Sequence, residues 1–240
     1  MSAPRSSYFT TASYISGSLF EFRHQITQHF NLEKNNKSLQ EENIALRKSS
    51  SVFLYNKLRT EAHVEDSIYA QQYDYIPGTI LNATTTKRNN FFTLNIGEIH
   101  GVKKGMGVFS SNGVVGIIHN TSKHFSVIKS VLTSNINIDV LISEVGVSGM
   151  LKWDGVNDNI GSISGVSNDI TVPKGSTVVT RGGSGIFPRG IPVGHIKHTK
   201  TVEGEASWHI DLSFSQKYAA LENVYVVKNL FLEEFTQIQN

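Results

Sequence analysis

The stretch TRGGSGIFPRGIPVG, Thr180–Gly194, contains five Gly and two Pro in fifteen positions. Gly admits positive φ and close backbone approach, and Pro fixes φ and removes a donor, so this is a backbone shape before it is a set of side chains. Ile186, Phe187, Ile191 and Val193 run through it as apolar anchors. Such a loop is either an active-site element or a rigid structural corner, and the reading of the whole chain turns on which.

Immediately outside the loop the sequence repeats itself. VKKGMGV at Val102–Val108 shares V-x-K-G-x-x-V with VPKGSTV at Val172–Val178, and each is followed by V-G-x-I, at Val115–Ile118 and Val193–Ile196. Gly105 and Gly116 are 11 positions apart, Gly175 and Gly194 are 19 apart, and the 8 extra residues fall inside Thr180–Gly194. Two related small β-barrels explain the echo economically. The competing reading is that K-G is simply a common turn.

The flanking segments support barrels. Runs rich in β-branched and aromatic residues, bounded by Gly, Asn and Ser, predict strands over 75–82, 91–96, 107–110, 114–119, 125–132 and 136–143. They continue over 149–153, 159–164, 176–180, 193–198, 208–214 and 224–227. Asn112-Gly113 between VFSS and VVGII reads as a hairpin with a type I′ turn. Short, regular spacing with no helical insert favours antiparallel barrels or sandwiches over a βαβ plan.

Farther out, towards the N-terminus, the composition changes. No Gly lies between Gly17 and Gly78 and no Pro between Pro4 and Pro77. Within this arm Leu32, Leu39, Leu46 and Phe53 recur every seven residues, with Asn36 and Asn43 at the alternate seam position. Leu at d and Asn at a describe a coiled coil, in which a buried Asn costs stability but selects register and a two-stranded pairing. Ile15, Leu19, Phe22 and Ile26 form a second stripe in another phase, as a stutter near 29–31 would produce. A helix over 15–59 would be about 65 Å long, too long for the flank of a compact domain. Either it packs on its own β body or it self-associates. The division expected is a flexible 1–14, the helix 15–59, a first barrel 60–145, a second barrel 146–230 and a tail 231–240. The final strands have the option of completing the first barrel.

Composition removes several functions. A net charge of +2 and a pI of 8.7 without clustered Lys and Arg do not describe a dedicated nucleic-acid binder. With no Cys there are no disulfides, thiolate nucleophiles or thiolate metal sites. The chain shows neither an 18-residue apolar run nor the apolar core of a signal peptide. His195-x-x-His198 lacks a third ligand at a recognisable spacing, and strand alternation sends i and i+3 to opposite faces. No metal and no cofactor are expected.

Gly183-Ser184-Gly185 invites comparison with the surround of a chymotrypsin-type nucleophile, and the order His100 or His119, Asp139, Ser184 matches that class. Against it, alternation in NINIDVLI places Asp139 opposite Ile136, Ile138 and Val140, on the surface. The loop also continues into Phe-Pro instead of the second Gly that shapes an oxyanion hole.

Taken together, these motifs resemble the rod-shape-determining MreC family over nearly the whole chain, in its part outside the cytoplasmic membrane. Asn36-x-x-Leu39-x-x-Glu42-Asn43-x-x-Leu46-Arg47 is similar to the family's coiled-coil signature. Residues 101–108 with Asn112-Gly113-Val114-Val115-Gly116 resemble its first barrel, and Leu221-Glu222-Asn223-Val224 its C-terminal strand entry. Its most specific motif is matched by Gly182, Ile186-Phe187-Pro188 and Gly190-Ile191-Pro192-Val193-Gly194, although Arg181 stands where the family usually has Ser.

The resemblance implies two six-stranded antiparallel β-barrels, chymotrypsin-like but non-catalytic, after a coiled-coil helix. It implies a non-enzymatic scaffold of the cell-elongation machinery that maintains rod-like shape by self-association and by organising peptidoglycan synthases. Implied partners are a second copy or higher assembly, a penicillin-binding transpeptidase, MreD, RodA and indirectly MreB. It also implies a periplasmic location, anchored in the cytoplasmic membrane by an upstream helix that these residues do not include. The alternatives are a serine hydrolase using Ser184 and a periplasmic adaptor of a secretion or efflux system, which would need a helical hairpin flanked by barrel halves. The seam reading is tested by Leu39→Asp: the mass measured by light scattering should fall, and an unchanged mass would exclude the seam.

Overall fold

A computed structural model describes residues 37–47, 54–56, 69–201, 204, 206–232, 234 and 237. The chain divides into two compact units, Met1–Arg47 and Lys48–Asn240. In the first unit residues 37–47 are helical, as the seam pattern requires locally. Leu39 and Leu46 are 54% and 62% exposed on this helix, and the Asn43 amide donates to the Leu39 carbonyl at 2.8 Å. Leu32, Asn36, the upstream stripe and the N-terminal 1–14 lie outside the described residues. The helix expected over 15–59 needs correction at its far end. Leu54–Asn56 (β1) is extended and pairs antiparallel with Tyr69–Gln71 (β2). Val52-Phe53-Leu54-Tyr55 is a β-branched and aromatic run, which favours a pleated strand over another helical turn.

The second unit holds two closed six-stranded antiparallel barrels. The first is built from β3 (Tyr73–Ala83), β4 (Asn89–Leu94), β5 (Gly107–Phe109), β6 (Val114–Thr121), β7 (Ser126–Thr133) and β14 (Asn223–Asn229). The second is built from β8 (Ile138–Ile142), β9 (Val147–Lys152), β10 (Ile160–Ser167), β11 (Thr177–Thr180), β12 (Pro192–Thr201) and β13 (Ser207–Phe214). Alternation along the strands fills each interior: Phe92, Leu94, Ile118 and Ile128 in the first, Leu151, Ile163, Ile210 and Leu212 in the second, are all essentially inaccessible. Closure pairs the backbone of every strand on both sides and leaves no sheet edge.

The barrels are two copies of one plan, with equivalent contacts at the echoed residues. Gly105 N–H donates to Ile118 O at 2.9 Å, and Gly175 N–H to Ile196 O at 2.8 Å. Val108 pairs with Gly116, and Val178 with Gly194. Both copies carry a β-bulge at the same place, after Ile118 and after Ile196. One strand differs in origin. In the second barrel β8 sits between β9 and β11, and in the first the matching place, between β3 and β5, is filled by the C-terminal β14.

The domain boundary expected at 145 moves as a result. Ile138–Ile142 belongs to the second barrel, where it pairs with β9 and β11. The first crossing between barrels is the turn 134–137, too short to mark itself by composition. Residues 223–229 return to the first barrel instead of ending the second. The expected hairpin at 112–113 is present, but Ser110 N–H donates to Gly113 O, so Ser111 and Asn112 form its tip, one position early. The Ser110 hydroxyl, accepting from Asn112 and Gly113 N–H groups, holds this turn in place of the I′ geometry.

Close strand approach explains the V-G-x-I glycines. A methyl carbon on Gly116 would stand 2.2 Å from Lys129 O, and one on Gly194 2.2 Å from Ser213 O. Gly116→Ala or Gly194→Ala should therefore cost about 1–3 kcal/mol by overpacking. Calorimetry should show Tm falling by roughly 3–10 °C for a domain of this size.

Candidate functional site

The loop Thr180–Gly194 leaves β11 of the second barrel and returns as β12. Thr180 ties its two ends: the hydroxyl donates to Pro188 O at 2.6 Å and accepts from Ile191 N–H at 3.0 Å. Backbone bonds from Thr180 N–H to Ile191 O (2.9 Å) and from Gly190 N–H to Thr180 O (3.0 Å) close the lasso. Arg181 anchors the outer side, its N–H on Asp139 O at 3.2 Å and its guanidinium 3.4 Å from the Asp139 carboxylate. Ile191 and Val193 are buried, as expected of anchors.

Phe187 is buried as well, and it packs on the first barrel. A methyl carbon on Gly107 of β5 would stand 2.6 Å from Phe187 Cε1 and 2.6 Å from Ile186 O. Only a residue without a side chain lets the ring lie there. Asn229, at the end of β14, donates its amide to Gly185 O at 3.0 Å. Next to this, the Ser110 hydroxyl donates to Gln216 Oε1, and a methyl on Gly113 would stand 2.7 Å from Pro192 O. Tyr218 completes the contact from the returning segment. Its ring meets Phe214 edge-on with centroids 5.5 Å apart, and its hydroxyl donates to Val114 O at 3.0 Å. Burial pushes that hydroxyl far above the usual phenol range, so it stays a donor at any working pH. Loop, turn and last strand thus hold the two barrels against each other.

The sequence singles out the loop but not its receptors, Gly107, Asn229, Ser110, Gln216 and Tyr218. One signal was legible. In the echo, Gly107 occupies the place that Thr177 holds in the second copy.

The candidate catalytic residues are not brought together. His100 Nδ1 accepts from Gly97 N–H at 3.1 Å, and His119 lies 5.6 Å from the Phe91 ring centre. Asp139 pairs with Arg181, and exposed Ser184 accepts from Ile186 N–H at 3.4 Å. Asp139 is half-buried at 22%, not fully at the surface as alternation suggested, because Arg181 folds over it. An open groove of about 280 Å³ beside His119 is lined by Lys104, Lys129, Asn135 and isoleucines, without a carboxylate or hydroxyl side chain to complete a relay. Among the described residues no cluster of His, Asp and Glu could hold a metal ion, and no helix is long and apolar enough to cross a membrane. His195 and His198 share the exposed outer face of β12, contrary to simple alternation, because the bulge at Lys197 shifts the phase by one residue.

Comparison with known proteins follows the same outline. The family model "Rod shape-determining protein MreC, barrel core" matches residues 80–228. Among curated relatives, the cell shape-determining protein MreC of Listeria monocytogenes is 24% identical over 60% of this chain and 49% of its own length. That of Haemophilus influenzae is 26% identical over 82% of this chain and 57% of its own. The chain spans about half the length of these relatives. Among solved structures, MreC of L. monocytogenes superposes with a TM-score of 0.62 at 20% identity, covering 90% of this chain and 94% of that one. A chain of the complex between penicillin-binding protein PBP2 and MreC from Helicobacter pylori does so at 0.54 and 18%, covering 66% and 99%.

If the loop is a lock, Phe187→Ala should destabilise the protein by about 3 kcal/mol, in the range for a buried aromatic. Its denaturant transition should separate into two steps as the barrels lose their coupling. Ser184→Ala, on the exposed tip, should leave the transition unchanged.

Proposed function

The chain belongs to the family of the rod shape-determining protein MreC, and from that premise we propose that it is a non-enzymatic scaffold of the bacterial cell-elongation machinery. In this reading it maintains rod-like shape by organising peptidoglycan synthases, and a penicillin-binding transpeptidase is its principal partner. The observation that carries the reading is the loop. The one segment that imitates a nucleophile's surround is spent on joining barrel to barrel, with Phe187 buried on Gly107. A catalytic loop needs its nucleophile beside a base; here the hydroxyl of Ser184 meets only the Ile186 amide among the described contacts.

The mechanism is assembly by geometry. In this reading the Phe187 contact lets the two barrels act as one body and present surfaces of fixed relative orientation. The seam Leu32, Asn36, Leu39, Asn43 and Leu46 pairs two copies, its leucines at 39 and 46 exposed in the single chain. A hydrophobic seam of this kind is completed by a second helix. In this reading MreD, RodA and, indirectly, MreB complete the assembly, and the chain itself lies on the periplasmic side, anchored in the cytoplasmic membrane. Holding enzymes on such a scaffold raises their effective concentration to about millimolar for short tethers, with no chemistry by the scaffold itself.

A serine-reactive fluorophosphonate should leave the chain unlabelled. Immobilised chain should capture the extracytoplasmic part of the transpeptidase from the same organism, and Phe187→Ala should weaken that capture. Labelling that disappears in Ser184→Ala would replace this reading with a hydrolase.

A further inference from the structure

His195-x-x-His198 is the one motif that the scaffold does not absorb. The bulge at Lys197 turns His195, Lys197, His198 and Lys200 outward along a single strand, all exposed. On β13, His209 stands opposite Lys200, Asp211 opposite His198, and Ser213 opposite His195. The Asp211 carboxylate is turned to its own neighbours, 3.4 Å from Lys200 Nζ and 3.3 Å from His209 Nε2. On the other side Thr177 of β11 pairs with His195, and its N–H donates to both oxygens of Glu144 at 2.9 and 2.8 Å. That bond holds the Glu144 carboxyl below its usual range, so it stays charged in mild acid. Beyond β13, Ser162 of β10 faces Asp211 and adds no charge.

The strip therefore carries two lysines against two flanking carboxylates. Histidine is the side chain that gains charge as pH falls from about 8 to 5. With His195 and His198 protonated the strip on β12 holds four cations, and His209 beside it on β13 adds a fifth, against two anions. We propose that the outer face of β12 is a docking strip for an extended acidic segment of a protein partner, engaged as the pH falls. Same-face side chains of an extended chain recur about every 6.7 Å, so a segment with a carboxylate at alternate positions meets the strip in register. The strip is one strand wide, and Asp211 and Glu144 border it on opposite sides. A planar anionic surface would press on both carboxylates, which a single strand avoids.

The probe is a fluorescent acetyl-(Glu-Thr)4-amide, titrated with the whole chain by anisotropy at low salt. Its affinity should be about tenfold higher near pH 5.5 than near pH 7.5, the gain expected of a few exposed ion pairs. About half-molar salt should remove it. His195→Gln/His198→Gln should abolish most of the pH dependence, with the thermal transition of the protein unchanged. Equal affinity at both pH values, or a full pH dependence in the double variant, would overturn the proposal. So would tighter binding of phosphatidylglycerol vesicles than of the peptide, which would assign the strip to a membrane surface.

Discussion

The second unit depends on one aromatic ring lying where a side chain is missing. Phe187 reaches from the second barrel onto Gly107 of the first, and the space exists only because Gly107 has no Cβ. Burying a side chain of this size is worth about 1.5–3 kcal/mol. That is enough to decide whether two domains joined by short crossings move together or separately, since inter-domain motion is the default unless the interface is apolar and packed. The polar contacts around it, Asn229 to Gly185, Ser110 to Gln216 and Tyr218 to Val114, then fix the angle at which the barrels meet.

The lock grows out of the repeat. The two copies share Val108 and Val178, Gly116 and Gly194, and a bulge in the same place. They differ in two complementary ways. The second copy has 8 more residues between its glycines, and the first has Gly107 where the second has Thr177. The insertion supplies a ring, and the glycine supplies its seat. β14, by closing the first barrel after the second is complete, stitches the chain's last strand beside the same seat.

The barrel strands were largely legible in the sequence because their alternation is local and a barrel has only two faces. Asn89–Leu94 alternates in the structure with Phe92 and Leu94 inward, although the strand buries Asn90 and exposes Phe91, which polarity alone does not foretell. The less legible features all depend on distant partners. Phe187 reads in sequence as an apolar anchor of its loop, and nothing near it names a glycine 80 residues earlier. The crossing at 134–137 is too short to show as a linker, so Ile138–Ile142 was assigned to the wrong barrel. The bulge at Lys197 puts His198 on the same face as His195, since a period of two holds only while the register does. Ser184 resembled a nucleophile because glycines that bend a loop into a corner are the same glycines that would expose a serine.

The central claim is that the barrels form one rigid body held by this loop. The chain has no Cys, so spin labels can be placed at will, one through Lys123→Cys on the first barrel and one through Lys152→Cys on the second, both exposed. Pulsed dipolar spectroscopy would then measure the distance between them directly. A single narrow distribution that broadens when Phe187→Ala is added is the result expected. A broad or bimodal distribution in the otherwise unaltered chain, or one indifferent to Phe187, would contradict the account.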